Sequence, residues 1–384
     1  MPERIIKYTE ALKEATDQAM EKDQSVFVIG LGVSYPNGAD GTTAGLKVKY
    51  PDRILDVPVS ENAFTGMAVG AAINGLRPIV HHGRVEFAML AYDPIFTQAA
   101  KWNYMFGGGN PVPIVFRIAL GRQWGNGPQH TQALHALFGS VPGLKVVIPS
   151  TPYLAKGLLA SAIADNNPVV MLEPRWLYGT KQAVPEESYT VPLDEARVVV
   201  TGDMVTVVTY GDGLVATLQA RELIGTHAGV EIIDLVSINP IDYETVFASV
   251  KKTGRLITVD TTHRAFSVGA EIIARVAQHH NITLKARPVS LSCPDVPCPT
   301  STALTETYYP TKIDIANAIL RLFGKTPLAT KLSFEELHLS PNHTITIEPS
   351  PIPSTVLMTV PPEKEHPRQI EDAPTDKTTT QRPR

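Results

Sequence analysis

Two residues stand where chemistry can be done. The first is Glu61. An apolar stretch, Ile54 to Val57, leads into Ser60 and Glu61, and a helical pattern crowded with small residues follows: Ala63, Gly66, Ala68, Gly70, Ala71 and Ala72. A carboxylate at the carboxyl end of a strand stands where open α/β sheets bind ligands. Against an apolar helix, such a group can have its proton affinity raised into a useful range. The plainer reading is an acid that favours a first helical turn and faces water. The second residue is His130, which follows the glycine-containing stretch Gly121 to Gln129. Glycines let backbone approach a ligand closely, and a histidine there can act as acid or base near neutrality. The plainer reading is an exposed loop histidine. Cys293 and Cys298, the only cysteines, are five residues apart without clustered histidines, and read as ordinary thiols.

The elements that must position these residues alternate. Apolar runs at Ser25 to Gly30, Ile54 to Val57, Pro78 to His81, Val112 to Arg117, Lys145 to Ile148 and Val169 to Leu172 predict strands, mostly separated by helical segments. Fully apolar strands alternating with helices imply a parallel sheet covered on both faces. A polar connection with prolines runs from Tyr178 to Arg197. Strands are then predicted at Val205 to Tyr210, Glu231 to Leu235, Arg255 to Val259 and Leu284 to Val289. Helices are predicted at Gly213 to Leu223, Tyr243 to Lys251, Val268 to Ala277 and Lys312 to Leu322. The expected division is a first domain over 1–190, a smaller α/β domain over 191–325, and a Pro/Thr-rich tail over 326–384. The tail has too little apolar area to offset its ordering entropy and is expected to be largely disordered.

Composition narrows the classes. A chain of 384 residues with a formal net charge of −4 carries no global basic field, so nucleic-acid binding is not indicated. Two cysteines in so long a chain suit a reducing compartment. The charged, amphipathic start MPERIIKYTEALKEA does not read as a signal peptide, and no apolar run of about 18–20 residues is present to span a bilayer. The expectation is a soluble, cytoplasmic protein without a membrane partner.

Several long blocks resemble one family in register: VSENAFTGMAVGAAINGLRPIV (59–80), GGGNPVPIVFR (107–117), GPQHTQ (127–132), PGLKVVIPSTPYLAKGLL (142–159) and DNNPVVMLE (165–173). The chain resembles the beta subunit of the thiamine-diphosphate-dependent decarboxylating component of 2-oxo acid dehydrogenases (pyruvate dehydrogenase beta-like, within the transketolase superfamily), over roughly residues 4 to 324. The resemblance implies an α/β fold: a parallel-sheet pyrimidine-binding domain followed by a smaller transketolase C-terminal-type domain that holds subunits together. It implies that Glu61 hydrogen-bonds the cofactor's aminopyrimidine, that Phe87 packs on the pyrimidine, and that His130 lies near substrate and thiazolium. It implies a structural potassium ion held by backbone carbonyls of Ile114, Ala162, Ile163, Asp165 and Asn167. Gly211-Asp212-Gly213 imitates the start of the metal-diphosphate motif of thiamine enzymes, but Asn239 stands alone at the required distance and lies in the second domain, so the motif is rejected. The diphosphate and its Mg2+ are then expected on a separate alpha subunit, with activity only in the joint assembly, an α2β2 tetramer. A lipoyl acyltransferase is the acceptor that the ordinary family would use.

The chain departs from that family at IVHHGRVEF (79–87), where an acidic and an aromatic residue are usual in place of His81 and His82, and methionine in place of Gly83. Arg122-Gln123-Trp124 also differs from the usual small-residue loop. His81, His82, Arg84 and Arg122 are therefore candidate contacts to an anionic or hydroxylated substrate; the alternative is that the two histidines finish a strand and pack. The main expectation is decarboxylation of a pyruvate-like 2-oxo acid with transfer of the acyl or aldehyde unit to an acceptor. The rivals are one half of a split transketolase moving two-carbon ketol units between sugars, and a non-catalytic scaffold of the same fold.

Overall fold

Seven strands form the main sheet, in the order Ser237–Asn239, Lys145–Val147, Val169–Pro174, Val115–Leu120, Arg77–His82, Val26–Gly30 and Ile54–Asp56. All neighbouring pairs run parallel except the first, which is antiparallel. Both faces are buried, as the uninterrupted apolar runs require. Along Val169–Pro174, Val169 and Met171 enter one core with Leu12, Leu154 and Leu158, while Val170 and Leu172 enter the other with Phe64, Phe116 and Phe138. That alternation is the period of two of a strand, applied to two apolar layers. The computed structural model describes residues 4–121, 126–225, 229–305, 307–329 and 345.

A second sheet of five strands follows: Val289–Cys293, Leu256–His263, Val205–Thr209, Val230–Asp234 and Arg197–Val200, the last antiparallel. Its own core gathers Val205, Val207, Leu214, Ile232, Ile257 and Ile319. The helix Lys312–Leu322 opens with a reciprocal cap between Thr311 and Asp314, which satisfies backbone donors at its start.

Four sequence expectations need correction. The strand expected at Val112 to Arg117 runs Val115–Leu120, because Pro111 and Pro113 keep the preceding residues out of the ladder. The strand expected at Leu284 to Val289 is Val289–Cys293 and begins after Pro288. The connection from Tyr178 to Arg197 contains a strand, Lys181–Ala183, paired antiparallel with Ile5–Lys7. Asn239 sits at the end of a strand that crosses into the first sheet by pairing with Lys145–Val147. Of the expected tail, only residues 326–329 and 345 are described; Ile345 is buried, and its N–H donates to the Lys181 carbonyl at 2.8 Å. No described helix is long and apolar enough to cross a membrane.

Candidate active site

Four parallel strands of the main sheet end on the same edge, and each is followed by a chemically equipped segment. Ile54–Asp56 leads to Glu61, Arg77–His82 to Arg84, Glu86 and Phe87, Val115–Leu120 to the loop of His130, and Val169–Pro174 to Arg175. This is the carboxyl edge, where open parallel sheets collect their ligands. Gly30 permits the tight packing underneath: a Cβ there would stand 2.4 Å from the carbonyl oxygen of His81.

Glu61 opens the helix Glu61–Ile73 and is 6% exposed. Among the described residues, no group hydrogen-bonds its carboxylate. Its carboxylate oxygens are not among the fully enclosed unpartnered atoms of the described residues, so the acid can receive a donor from outside the chain. The small residues of its helix allow the turn to lie close to the segment after Arg77–His82, where Asn62 donates to the Leu90 carbonyl at 3.4 Å.

Phe87 and His130 come together from different loops. Their rings meet edge to face with centroids 5.6 Å apart, and Phe87 is 37% exposed, enough to offer a surface. Arg84 Nη1 donates to the backbone carbonyl of His130. Glu86 accepts from the backbone N–H of Gln132 at 2.7 Å.

His81 and His82 are the last two residues of their strand and both are buried. His82 Nε2 lies 3.2 Å from Thr65 Oγ1, and its ring packs on Phe64 at 5.2 Å. Burial depresses its proton affinity to about 3. His81 is also driven well below the usual imidazole value, by burial first and then by the cation of Arg117. Both rings are neutral at physiological pH and supply no cationic contact. Arg84 is 8% exposed, and burial lowers its affinity for its proton. Arg122 lies outside the described residues.

Beneath the edge, Arg117 and Glu173 form a fully buried bidentate pair at 2.6 and 3.0 Å, and Tyr178 donates to the same carboxylate at 2.8 Å. Arg175 pairs with Asp40. The loop of His130 is also fastened to the second sheet. His135, fully buried, sets Nε2 3.0 Å from Asp260 Oδ1 and 2.8 Å from the Tyr210 hydroxyl, and Thr262 donates to the Ala133 carbonyl at 2.6 Å. The imidazole holds the Asp260 carboxyl below its usual range, although burial acts in the other direction. Glu86, Arg175, His135 and Asp260 were not among the sequence candidates. Their partners lie 46 to 135 residues away in the chain, beyond any local pattern.

Of the five backbone carbonyls proposed for potassium, those of Ile163 and Asp165 both accept from Arg77 Nη1, at 2.9 and 3.0 Å, and that of Ile114 accepts from Val169 N–H at 3.0 Å. Two of the set therefore face a common point, already approached by a guanidinium. The Gly211-Asp212-Gly213 motif is engaged elsewhere: Asp212 accepts from Thr261 at 3.0 Å, and Asn239 donates to the Val141 carbonyl at 3.3 Å.

The sheet order and the carboxyl-edge cluster define a class, and comparison with known proteins agrees with it. Residues 4–181 match the transketolase pyrimidine binding domain, and residues 194–315 match the transketolase C-terminal domain. The chain belongs to this two-domain family and, within it, groups with beta subunits of E1 type. It is 42% identical over 319 residues to the acetoin:2,6-dichlorophenolindophenol oxidoreductase subunit beta of Cupriavidus necator, covering 80% of this chain and 94% of that one. It is 43% identical over 301 residues to the pyruvate dehydrogenase E1 component subunit beta of Porphyra purpurea, covering 77% and 90%. A solved split-gene transketolase, described as an inactive beta4 tetramer, shares the fold with a TM-score of 0.68 at 19% identity, over 82% of this chain and 97% of that one.

Proposed function

We propose that this chain is the beta subunit of a two-chain, thiamine-diphosphate-dependent enzyme that decarboxylates a 2-oxo acid and passes the remaining acyl or aldehyde unit to an acceptor. The observation that carries the reading is Glu61, 6% exposed and with no hydrogen-bond partner for its carboxylate among the described residues, on the same sheet edge as the Phe87–His130 contact. The relatives named as pyruvate dehydrogenase and acetoin oxidoreductase beta subunits support it.

Thiamine diphosphate, when bound, would supply a nucleophilic thiazolium carbon for the keto carbon and a cationic ring that can take up the electron pair released as the carboxylate leaves as carbon dioxide. Glu61 would hold the pyrimidine through a hydrogen bond at its carboxylate. The exposed face of Phe87 would pack on that ring. His130 would give or take a proton at an imidazole nitrogen beside the substrate carbonyl. Magnesium and the diphosphate would be held by an alpha subunit. The outer side of the Glu61–Ile73 helix suits such a partner. Gly66 and Gly70 face open space, and Met67 between them is 60% exposed. Small residues flanking an apolar side chain allow another chain to approach closely. A lipoyl group on an acyltransferase is the proposed acceptor, and cytoplasmic residence the proposed location. Potassium would share the carbonyls of Ile114, Ala162, Ile163, Asp165 and Asn167 with the guanidinium of Arg77.

The test is reconstitution with the alpha chain that co-purifies from source cells. Turnover of pyruvate, acetoin and sugar phosphates would be followed side by side, with 2,6-dichlorophenolindophenol as oxidant in the first two. The proposal expects pyruvate-dependent dye reduction that requires the alpha chain and is lost in Glu61→Ala. Turnover indifferent to Glu61→Ala would remove the catalytic reading, and turnover of sugar phosphates alone would move the chain to the transketolases.

A further inference from the structure

The four residues after Gly83 reach one loop in three ways. Arg84 donates from its guanidinium to the carbonyl of His130. Glu86 accepts from the N–H of Gln132 at 2.7 Å. Phe87 sets its ring against the edge of His130 at 5.6 Å. The backbone immediately after His130 is thus gripped by side chains of opposite charge from one short helical turn, Val85–Ala88, and its lead-in. Thr131 adds a bond within the loop, from its hydroxyl to the carbonyl of Gly127. The far end of the loop is bolted to the second sheet through Thr262 and through His135 with Asp260. With that end anchored, Arg84 and Glu86 determine where the near end, and so His130, is placed.

Each charge suits holding backbone better than meeting substrate. Arg84 is 8% exposed, and its Nη1 is already engaged by the His130 carbonyl. Glu86 is partly buried, and burial raises its carboxyl while Arg84 and His130 pull it down. An anionic substrate would not be drawn toward a carboxylate, yet a carboxylate is a strong acceptor for a backbone N–H.

We infer that Arg84 and Glu86 are positioning residues that hold His130 in its working geometry against Phe87. The inference rests on the proposed role of His130. It assigns Arg84 to the histidine loop in place of the substrate contact expected from the sequence, and it assigns Glu86 a role for the first time.

The test uses the reconstituted complex with pyruvate and 2,6-dichlorophenolindophenol. A histidine displaced by about 1 Å can cost on the order of a hundredfold in rate. Arg84→Met and Glu86→Leu are therefore expected to lower kcat about tenfold to a hundredfold, with KM for pyruvate changed no more than about threefold. Glu86→Gln keeps an oxygen acceptor and should retain kcat within about threefold of the parent. Added guanidinium ion should restore part of the kcat of Arg84→Met. A rise in KM alone for Arg84→Met would make Arg84 a substrate contact and overturn the inference. So would kcat within about twofold for Arg84→Met and Glu86→Leu while His130→Ala abolishes turnover. If His130→Ala itself leaves turnover intact, the role of His130 fails first. Should Arg84→Met not assemble, the comparison of Glu86→Leu with Glu86→Gln reads the same clamp from its less buried side.

Discussion

Arg117 and Glu173 lie on adjacent strands as a fully buried, bidentate ion pair, with Arg117 beside His81 in the parallel register. The pair sits directly under the edge that carries the candidate site, and Tyr178 completes the carboxylate's hydrogen bonding. Two charges taken out of water are costly, and their attraction offsets the cost only while both are present. Arg117→Met should therefore destabilise the chain by about 3–5 kcal/mol, because it leaves the buried carboxyl of Glu173 without its cationic partner. The double variant Arg117→Met with Glu173→Leu should recover much of that loss. Denaturant unfolding of the four chains gives the coupling directly. A double variant no better than Arg117→Met would show that the pair is not the reason for the loss.

His82 makes the fold sensitive to acid. Its folded proton affinity lies at about 3 because burial penalises the charged ring, while the unfolded chain has the ordinary value of about 6.5. A depressed value means that the contribution is complete above about 6.5 and is lost as pH falls toward 3. The full difference corresponds to roughly 5 kcal/mol, an upper figure. His82→Phe keeps a ring against Phe64 and has nothing to protonate. Its melting temperature should fall less between pH 7 and about pH 4.5 than that of the parent. His81, depressed in the same direction, leaves a residual slope in the variant. Parallel slopes for parent and variant would contradict the assignment.

Asp234 works in the opposite sense. It is buried where the two sheets meet, and Ser150 donates to it at 2.9 Å. Burial raises its carboxyl to about 6. A raised value gives stability that is complete below the unfolded pKa near 3.9 and is lost as pH rises through 6. Asp234→Asn cannot ionise. The stability of this variant relative to the parent should rise by about 3 kcal/mol between pH 4 and pH 8, whatever its offset at pH 4. A constant difference across that range would mean that Asp234 does not change its charge state on folding.

Much of this architecture is written locally. The apolar runs that become the central strands are visible because both faces of the sheet are buried, so nothing polar interrupts them. Glu61 could be placed at a strand end because the strand and the small-residue helix adjoin it in the chain. Lys181–Ala183 and Ser237–Asn239 could not be read this way. They are three residues each, partly polar, and are strands only because Ile5–Lys7 and Lys145–Val147 pair with them. His81 and His82 read as candidate substrate contacts because they stand where the family usually has an acidic and an aromatic residue, with packing at a strand end as the alternative. They form the buried end of the strand, where Thr65 and Phe64 from the neighbouring helix pack on His82. Glu86 gave no signal, since what it holds is a backbone N–H with no side-chain signature. The metal-diphosphate half-motif at Gly211 could be dismissed because Asn239, though at the required distance, stands alone and lies in the second domain.

Arg77 gives a test of the potassium proposal that does not depend on turnover. Its Nη1 bonds the carbonyls of Ile163 and Asp165, and its Nη2 bonds Asn166 at 2.7 Å. Each carbonyl has two lone pairs, so a potassium ion can share these oxygens with the guanidinium, though the like charges oppose each other. Removing the guanidinium frees both oxygens and lifts the repulsion. Arg77→Met should therefore be less stable than the parent in sodium or choline buffer and should gain more from added potassium. Ligand that binds only the folded chain stabilises it by RT ln(1 + [L]/Kd), so tenfold tighter binding would add up to about 1.4 kcal/mol at saturating potassium. Melting temperatures of both chains across a potassium series at constant ionic strength decide the matter. A larger potassium response in the variant supports a cation shared at these carbonyls. No potassium response in either chain would mean that Arg77 is the only cation those carbonyls hold.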